Sequence, residues 1–346
     1  MSRRYTYTPR RGAGAAPRRV ASGDASPSYI ALAAIVGVAA VVVAIGLLVS
    51  GGSAELPQDS GCSDANCAPL VAGDTVTPTS GTTFGPTRSA APQASPGDEA
   101  APPISGYSAA IIEEPCGAVV YGVNEALHLP PASLTKIITA LVALEQSDPA
   151  ALVDVTIDGG ELSLATDSTV MGVKPGDRMP LMDLVYGLLM RSGHDAAVQI
   201  AEYVAGDETS FAELMNAKAQ SLGLTDSHFS NASGLDDGGL YTSAYDIAMM
   251  GRALLAVPSL AEVVSTRDYQ PAWNRGPLEN LNLMLNFYPG AIGIKTGFTD
   301  NAGQTIVAAA DRDGRRLIVS VLHSEDLYVD ASVLLDWAFA NTPASC

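Results

Sequence analysis

At 346 residues, 47% of them hydrophobic, the chain is long enough for one large core or two adjoining lobes in addition to non-globular segments. Its formal net charge of −18 becomes −23 beyond residue 28, because the first 28 residues hold six of the 19 basic residues and one of the 37 acidic ones. A body this acidic repels phosphate backbones and anionic head groups, which excludes nucleic acid as a partner and requires a locally basic site for any anionic substrate.

Residues 1–28, with Arg3, Arg4, Arg10, Arg11, Arg18 and Arg19, read as a cytoplasmic basic tail. Residues 29–49 are 21 uncharged positions dominated by Ala, Val, Ile and Leu, which as a helix span a hydrocarbon core of roughly 30 Å. Arginines before it and acids after it orient a single-pass anchor with its N-terminus inside and the remainder of the chain outside the cell membrane. The competing reading is a cleaved signal peptide, with Gly52-Ser53-Ala54 as the cleavage site, but the apolar run exceeds the usual signal core of roughly 7–15 residues. Residues 50–104 are rich in Gly, Ser, Thr, Pro and Ala without apolar periodicity and read as a disordered linker, about 40 Å end to end. All four cysteines (Cys62, Cys67, Cys116 and Cys346) follow the anchor, where disulfides persist. Three pairings are open, one of which joins Cys62 to Cys67 and Cys116 to Cys346.

Residues 105–346 have the composition of a globular domain. Apolar runs at 107–112 and 118–121 around Glu113-Glu114-Pro115-Cys116-Gly117 predict a hairpin. Residues 133–145 are helical and apolar on nearly every side, so a buried central helix is expected. Helices are predicted at 181–189 and 196–204, flanking a break at Ser192-Gly193, and again at 211–222, 244–255 and 330–340. Strands are predicted at 304–310 and 316–322 around Arg312-Asp313-Gly314. Strands at both ends with helices between them point to an α+β fold with an antiparallel sheet.

The chain has only four lysines against fifteen arginines, and two of the four sit in short motifs. Unlike arginine, a partly buried lysine can lose its proton and act as a base. Ser133 and Lys136, in Ser133-Leu134-Thr135-Lys136, share a helix face one turn apart, so a neutral lysine can activate the hydroxyl. Placement in the first helical turn also sets the unpaired N–H groups beside developing negative charge. Lys295-Thr296-Gly297 closes an apolar strand-like run, where lysine and a hydroxyl suit a carboxylate and the glycine lets a ligand approach the backbone. Between them lies Arg191-Ser192-Gly193-His194-Asp195-Ala196-Ala197, a polar helix break.

In order and spacing, these three motifs resemble those of the serine-type D-alanyl-D-alanine carboxypeptidases, also called low-molecular-mass penicillin-binding proteins. The likeness extends to Pro130-Pro131-Ala132 before the first motif, to the stretch from Phe229 to Asp246 and to Gly293-Ile294 and Phe298-Thr299 around the third. It implies a β-lactamase/transpeptidase-like fold in which helices flank the sheet and form an all-helical lobe. It also implies that Ser133 is acylated at a terminal D-Ala-D-Ala bond of a peptidoglycan stem peptide, with Lys136 taking its proton and Ser192 passing one to the departing D-alanine. Lys295 and Thr296 would hold the terminal carboxylate, and Gly297 would line the substrate strand. The N–H groups of Ser133 and Phe298 would form the oxyanion hole. β-Lactams are the expected inhibitors, and neither cofactor nor metal is needed.

The chain departs from the family at His194, where asparagine is usual. A neutral imidazole supplies one donor and one acceptor to the substrate, and beside Lys136 and Lys295 it is expected to stay neutral. Two alternatives remain: a D,D-endopeptidase using the same residues, and a catalytically weak muropeptide-binding protein. A serine β-lactamase is set aside, because Glu213-Leu214-Met215-Asn216 and Glu279-Asn280-Leu281-Asn282 miss the E-x-x-L-N spacing of its deacylating glutamate by one residue. His128, His228 and His323 show no metal-ligand spacing, and Glu113-Glu114 and Asp236-Asp237 read as solvated turns.

Overall fold

The computed structural model describes residues 100–273 and 276–346. The basic tail, the apolar segment 29–49, nearly all of the linker, Cys62 and Cys67 lie outside them. Among the described residues no single helix is long and apolar enough to cross a membrane.

The chain enters through strand β1 (Ser108–Glu114), turns at Pro115–Gly117 and returns as β2 (Ala118–Val123). A 3-10 turn (Ala132–Thr135) then leads into α1 (Lys136–Gln146), whose residues Ile137 through Ala143 are all buried. A helical stretch interrupted by two short strands follows: β3 (Leu152–Asp154), α2 (Gly159–Thr166), β4 (Arg178–Pro180), α3 (Leu181–Met190), α4 (His194–Ala205), α5 (Glu208–Ser221), α6 (Ala244–Leu255) and α7 (Pro258–Ser265). Short β5 (Asp268–Tyr269), β6 (Leu278–Glu279) and α8 (Met284–Phe287) return the chain to the sheet, completed by β7 (Ala291–Thr299), β8 (Gly303–Arg312) and β9 (Arg315–Ser324). Helix α9 (Leu327–Asn341) closes the domain.

The five-stranded sheet runs β2-β1-β9-β8-β7, every neighbouring pair antiparallel. Through β1 the first hairpin therefore pairs with β9, some 200 residues later. Alternation along the strands sends residues to two cores. Val307, Ala309, Ile318 and Leu322 face the helical lobe around α1, while Ile306, Ala308, Leu317, Val319 and Val321 face α9 through Leu334, Leu335 and Ala338. Because both faces are covered, β8 and β9 read as nearly continuous apolar runs.

Helices α3, α4, α5, α6 and α9 and the long strands fall where the sequence predicts them, with ends moved by at most three residues. Other features differ. Helices α2, α7 and α8 and the short strands β3, β4, β5 and β6 were not expected; α2 and α7 are only eight residues long and α8 four. The central helix starts as a 3-10 turn, so Ser133 precedes the α-helix proper. Glu113 and Glu114 are not a solvated turn. They end β1, and Glu113, 3% exposed in its side chain, pairs through both carboxylate oxygens with Arg315 at 3.1 Å. Burial raises the Glu113 pKa, but hydrogen bonds from Arg315 and the Ser345 N–H, with the Arg315 charge, hold it below the usual carboxylate value. Glu114 pairs with Arg316. Of the open cysteine pairings, Cys116 with Cys346 is present and ties the chain end to the hairpin turn.

Candidate active site

The 3-10 turn lies where the helical lobe meets edge strand β7. Ala132, at φ +50°, turns the chain sharply before Ser133, a conformation rarely adopted by residues other than glycine. The Thr135 hydroxyl donates to the Ala132 carbonyl and the Thr305 hydroxyl on β8 donates to the Pro131 carbonyl, which fixes the turn against the sheet. Lys136 Nζ is 3.0 Å from Ser133 Oγ and donates to the Ser233 carbonyl. That carbonyl is held in place by Asn231, whose Oδ1 accepts from the Ser233 and Gly234 N–H groups and whose Nδ2 donates to the Leu235 carbonyl. Thr139 on α1 also donates to the Ala232 carbonyl. Gly234 (φ +86°) is needed there, since a Cβ would fall 1.9 Å from the Ala132 carbonyl oxygen.

Lys136 is 3% exposed and Lys295 1%. Burial, then the Lys295 charge, lower the Lys136 pKa well below that of free lysine, against a smaller opposing effect of Asp195. Burial brings Lys295 down to about 7. With Lys136 neutral, one N–H serves the Ser233 carbonyl and the lone pair is free to receive the Ser133 proton.

Ser133 and Lys136 line a cleft of about 640 Å³, together with Ser192, His194, Thr296, Gly297 and Phe298. Seven of the eight sequence-predicted site residues thus border one cavity. Lys295 lies just behind the wall, its Nζ donating to the Thr296 carbonyl, and acts on Lys136 by charge. Phe298 is 64% exposed at the rim. Gly297 borders the cleft, and its missing side chain has a second use. A Cβ there would meet Ser133 N at 2.8 Å and Thr305 Oγ1 at 2.7 Å, so the glycine admits the protein's own nucleophile turn against β7. Ser192 sits at φ +59° between α3 and α4, a strained position that aims its short side chain into the cleft region.

His194 opens α4 and is 6% exposed. Burial, then the Lys136 charge, lower its pKa to about 4, so the ring is neutral at physiological pH. Its partners are distant in sequence and follow no local pattern: Nδ1 is 2.8 Å from Ser168 Oγ and 3.3 Å from Thr166 Oγ1. Next to it, fully buried Asp195 accepts from the Met171, Gly172 and Val173 N–H groups, and the His194 N–H donates to the Thr169 carbonyl. Consecutive residues of α4 therefore clamp segment 166–173 beside the cleft. The available signal was an Asp directly after the helix break, positioned to accept backbone N–H groups.

No glutamate lines the cleft among the described residues; its carboxylates are Asp167, Asp236 and Asp300. Asp236 accepts from the Thr299 hydroxyl at 2.8 Å. No cluster of metal-ligating side chains occurs among the described residues. His228 and His323 instead bond backbone carbonyls, and His128 stacks on Tyr241.

A family profile described as D-alanyl-D-alanine carboxypeptidase matches residues 96–326. The chain is 34% identical over 241 residues to the D-alanyl-D-alanine carboxypeptidase DacF of Bacillus subtilis, covering 68% of this chain and 62% of that protein. It is 35% identical over 237 residues to DacB2 of Mycobacterium tuberculosis, covering 66% and 80% respectively. Among solved structures, the Streptomyces K15 DD-transpeptidase superimposes with a TM-score of 0.66 at 28% identity, over 70% of this chain and 100% of that one.

Proposed function

The chain belongs to the D-alanyl-D-alanine carboxypeptidase family of serine peptidases, and from that premise we propose that it removes the terminal D-alanine from peptidoglycan stem peptides. The observation that carries this reading is the Ser133 Oγ to Lys136 Nζ separation of 3.0 Å, in a cleft bordered by Thr296 and Gly297.

Lys136, neutral and desolvated, takes the Ser133 proton as Oγ attacks the carbonyl carbon of the D-Ala-D-Ala bond. The oxygen of the tetrahedral adduct is met by the N–H groups of Ser133 and Phe298; each such donor is commonly worth about 3–4 kcal/mol to the transition state. The adduct collapses as the C–N bond breaks, and the proton held by Lys136 passes by way of Ser192 to the leaving amine. Water, deprotonated by the same lysine, then attacks the acyl-enzyme and releases the shortened peptide. The Lys295 charge and the Thr296 hydroxyl favour a carboxylate-terminated substrate, which an otherwise acidic body would repel. β-Lactams, as acyl donors, would acylate the same serine.

The apolar segment 29–49 would anchor this domain outside the membrane on the linker 50–104. The Cys116–Cys346 disulfide supports an oxidising compartment. A second reading, muropeptide binding with little turnover, rests on His194 alone, and cross-link cleavage would use the same residues.

The test is D-alanine release from a muropeptide ending in D-Ala-D-Ala by the full chain, with Ser133→Ala as control. Release that disappears in the control supports the reading. A folded wild type that releases none overturns it in favour of binding or cross-link cleavage.

A further inference from the structure

His194 occupies a position where an asparagine amide would offer both a donor and an acceptor, whereas a neutral imidazole assigns one role to each nitrogen. Which nitrogen carries the proton therefore decides what the ring can offer a substrate. The surrounding hydroxyls settle this by a count of their protons.

Thr166 closes α2, and its hydroxyl donates to the Leu162 carbonyl at 2.8 Å. A carbonyl can only accept, so the single Thr166 proton is committed there. Ser168 Oγ lies 2.8 Å from Thr166 Oγ1, and with the Thr166 proton spent, Ser168 is the donor in that bond. The single Ser168 proton is then spent as well. The remaining contact, Ser168 Oγ to His194 Nδ1 at 2.8 Å, needs its proton from the ring. Thr166 Oγ1, 3.3 Å from Nδ1, is a second acceptor for the same N–H. We propose that this hydroxyl chain holds His194 as the Nδ1–H tautomer, so that Nε2 meets the cleft as an acceptor for an N–H or O–H donor of the bound peptide, with Ser168 as the positioning residue.

Three observations agree with this arrangement. The ring borders the cleft, and no protein group among the described residues bonds Nε2. The backbone of the same loop is fixed to α4 by the His194 N–H to Thr169 bond and by Asp195, which holds the hydroxyls in register with the ring. Burial disfavours imidazolium, so the Nε2 lone pair persists at working pH. Ligand specificity follows: the cleft accepts a donor at this point where an amide would also tolerate an acceptor, and peptides that present only a carbonyl there bind weakly.

The substrate part of this inference rests on the carboxypeptidase reading, but the tautomer does not. Its test is a long-range proton–nitrogen NMR spectrum of the full chain in detergent at pH 7, labelled at histidine, with His194 assigned by loss of its signals in His194→Gln. The expected result is a protonated, pyrrole-type Nδ1 and an unprotonated, pyridine-type Nε2. The reverse pattern, or an average of both tautomers, overturns the proposal. The spectrum is read on resting protein, so an inactive chain would defeat the proposed function without obscuring this result. Ser168→Ala should mix the tautomers and raise KM for a D-Ala-D-Ala peptide about five- to tenfold with kcat little changed, as expected for loss of one orienting hydrogen bond. Ser168→Thr, which keeps the hydroxyl, should restore both. Unchanged tautomer and KM in Ser168→Ala would show that the hydroxyl orients nothing.

Discussion

Lysine burial sets the chemistry at the scale of single residues. With Lys295 titrating near pH 7, its charge declines above that pH, and under the proposed function carboxylate binding should decline with it. KM for a carboxylate-terminated peptide should therefore rise with pH above about 7, and a Lys295→Met variant should have a high KM that is flat across the same range. The same depression has a stability consequence of definite sign. Between about pH 7 and 10.5 the unfolded chain holds a proton on this lysine that the folded one has lost, so stability rises with pH through that window, and the cost of burying the charge is fully present below it. The gain in Tm of Lys295→Met over wild type should be largest near pH 6 and shrink as pH climbs; a constant or growing gain would contradict the assignment. The Ser133–Lys136 pair was legible in the sequence because a spacing of three sets the contact locally. Ser168 was not: it meets His194 across 26 residues and a loop with no pattern of its own.

At the scale of elements, the site depends on how closely β7 meets the nucleophile turn. Adding the Gly297 methyl would push against Ser133 N and Thr305 Oγ1, both backed by buried structure, so Gly297→Ala should cost about 1–3 kcal/mol in stability. It should also displace Ser133 and lower kcat/KM for D-alanine release at least tenfold, since small misplacements of reacting groups are expensive. Full activity with unchanged Tm would show that the approach is looser than described. Long amphipathic or apolar helices were legible from their periodicity, and the two central strands from short apolar runs on either side of Arg312-Asp313-Gly314. Helix α2, with glycines at its start and Leu164 90% exposed, carries no apolar face, and α7 is short and rich in valine. Their stability comes from capping and tertiary contact, such as Asp158 accepting from the Gly160 and Glu161 N–H groups, which periodicity does not register.

At the scale of the whole molecule, the sheet is tied together by contacts between its first hairpin and the segment after α9. Arg315 joins Glu113 on β1 to the Thr342 and Pro343 carbonyls beyond α9, and the Cys116–Cys346 bond fastens the last residue to the first turn. Glu113→Ala would leave the Arg315 charge in a largely buried setting without its carboxylate, and should cost about 3–5 kcal/mol in a denaturant titration. Cys346→Ser should cost about 2–5 kcal/mol by freeing the unfolded chain. These long-range ties explain why Glu113-Glu114 read as a surface turn: the partner that buries the first glutamate lies 202 residues away, and a local window sees only two acids before a proline. The α+β class and the order of the site motifs survived that blindness, because strands at both ends with helices between them admit few arrangements. If the two lobes meet to make Ser133 a nucleophile, as proposed, a β-lactam should acylate it, and intact-protein mass measurement after exposure to a β-lactam reads that bond. The expected result is a single adduct of the full β-lactam mass, located by peptide mapping at Ser133 and lost in Ser133→Ala and Lys136→Ala. A folded protein that forms no adduct, or forms one on Ser192 in place of Ser133, would contradict it.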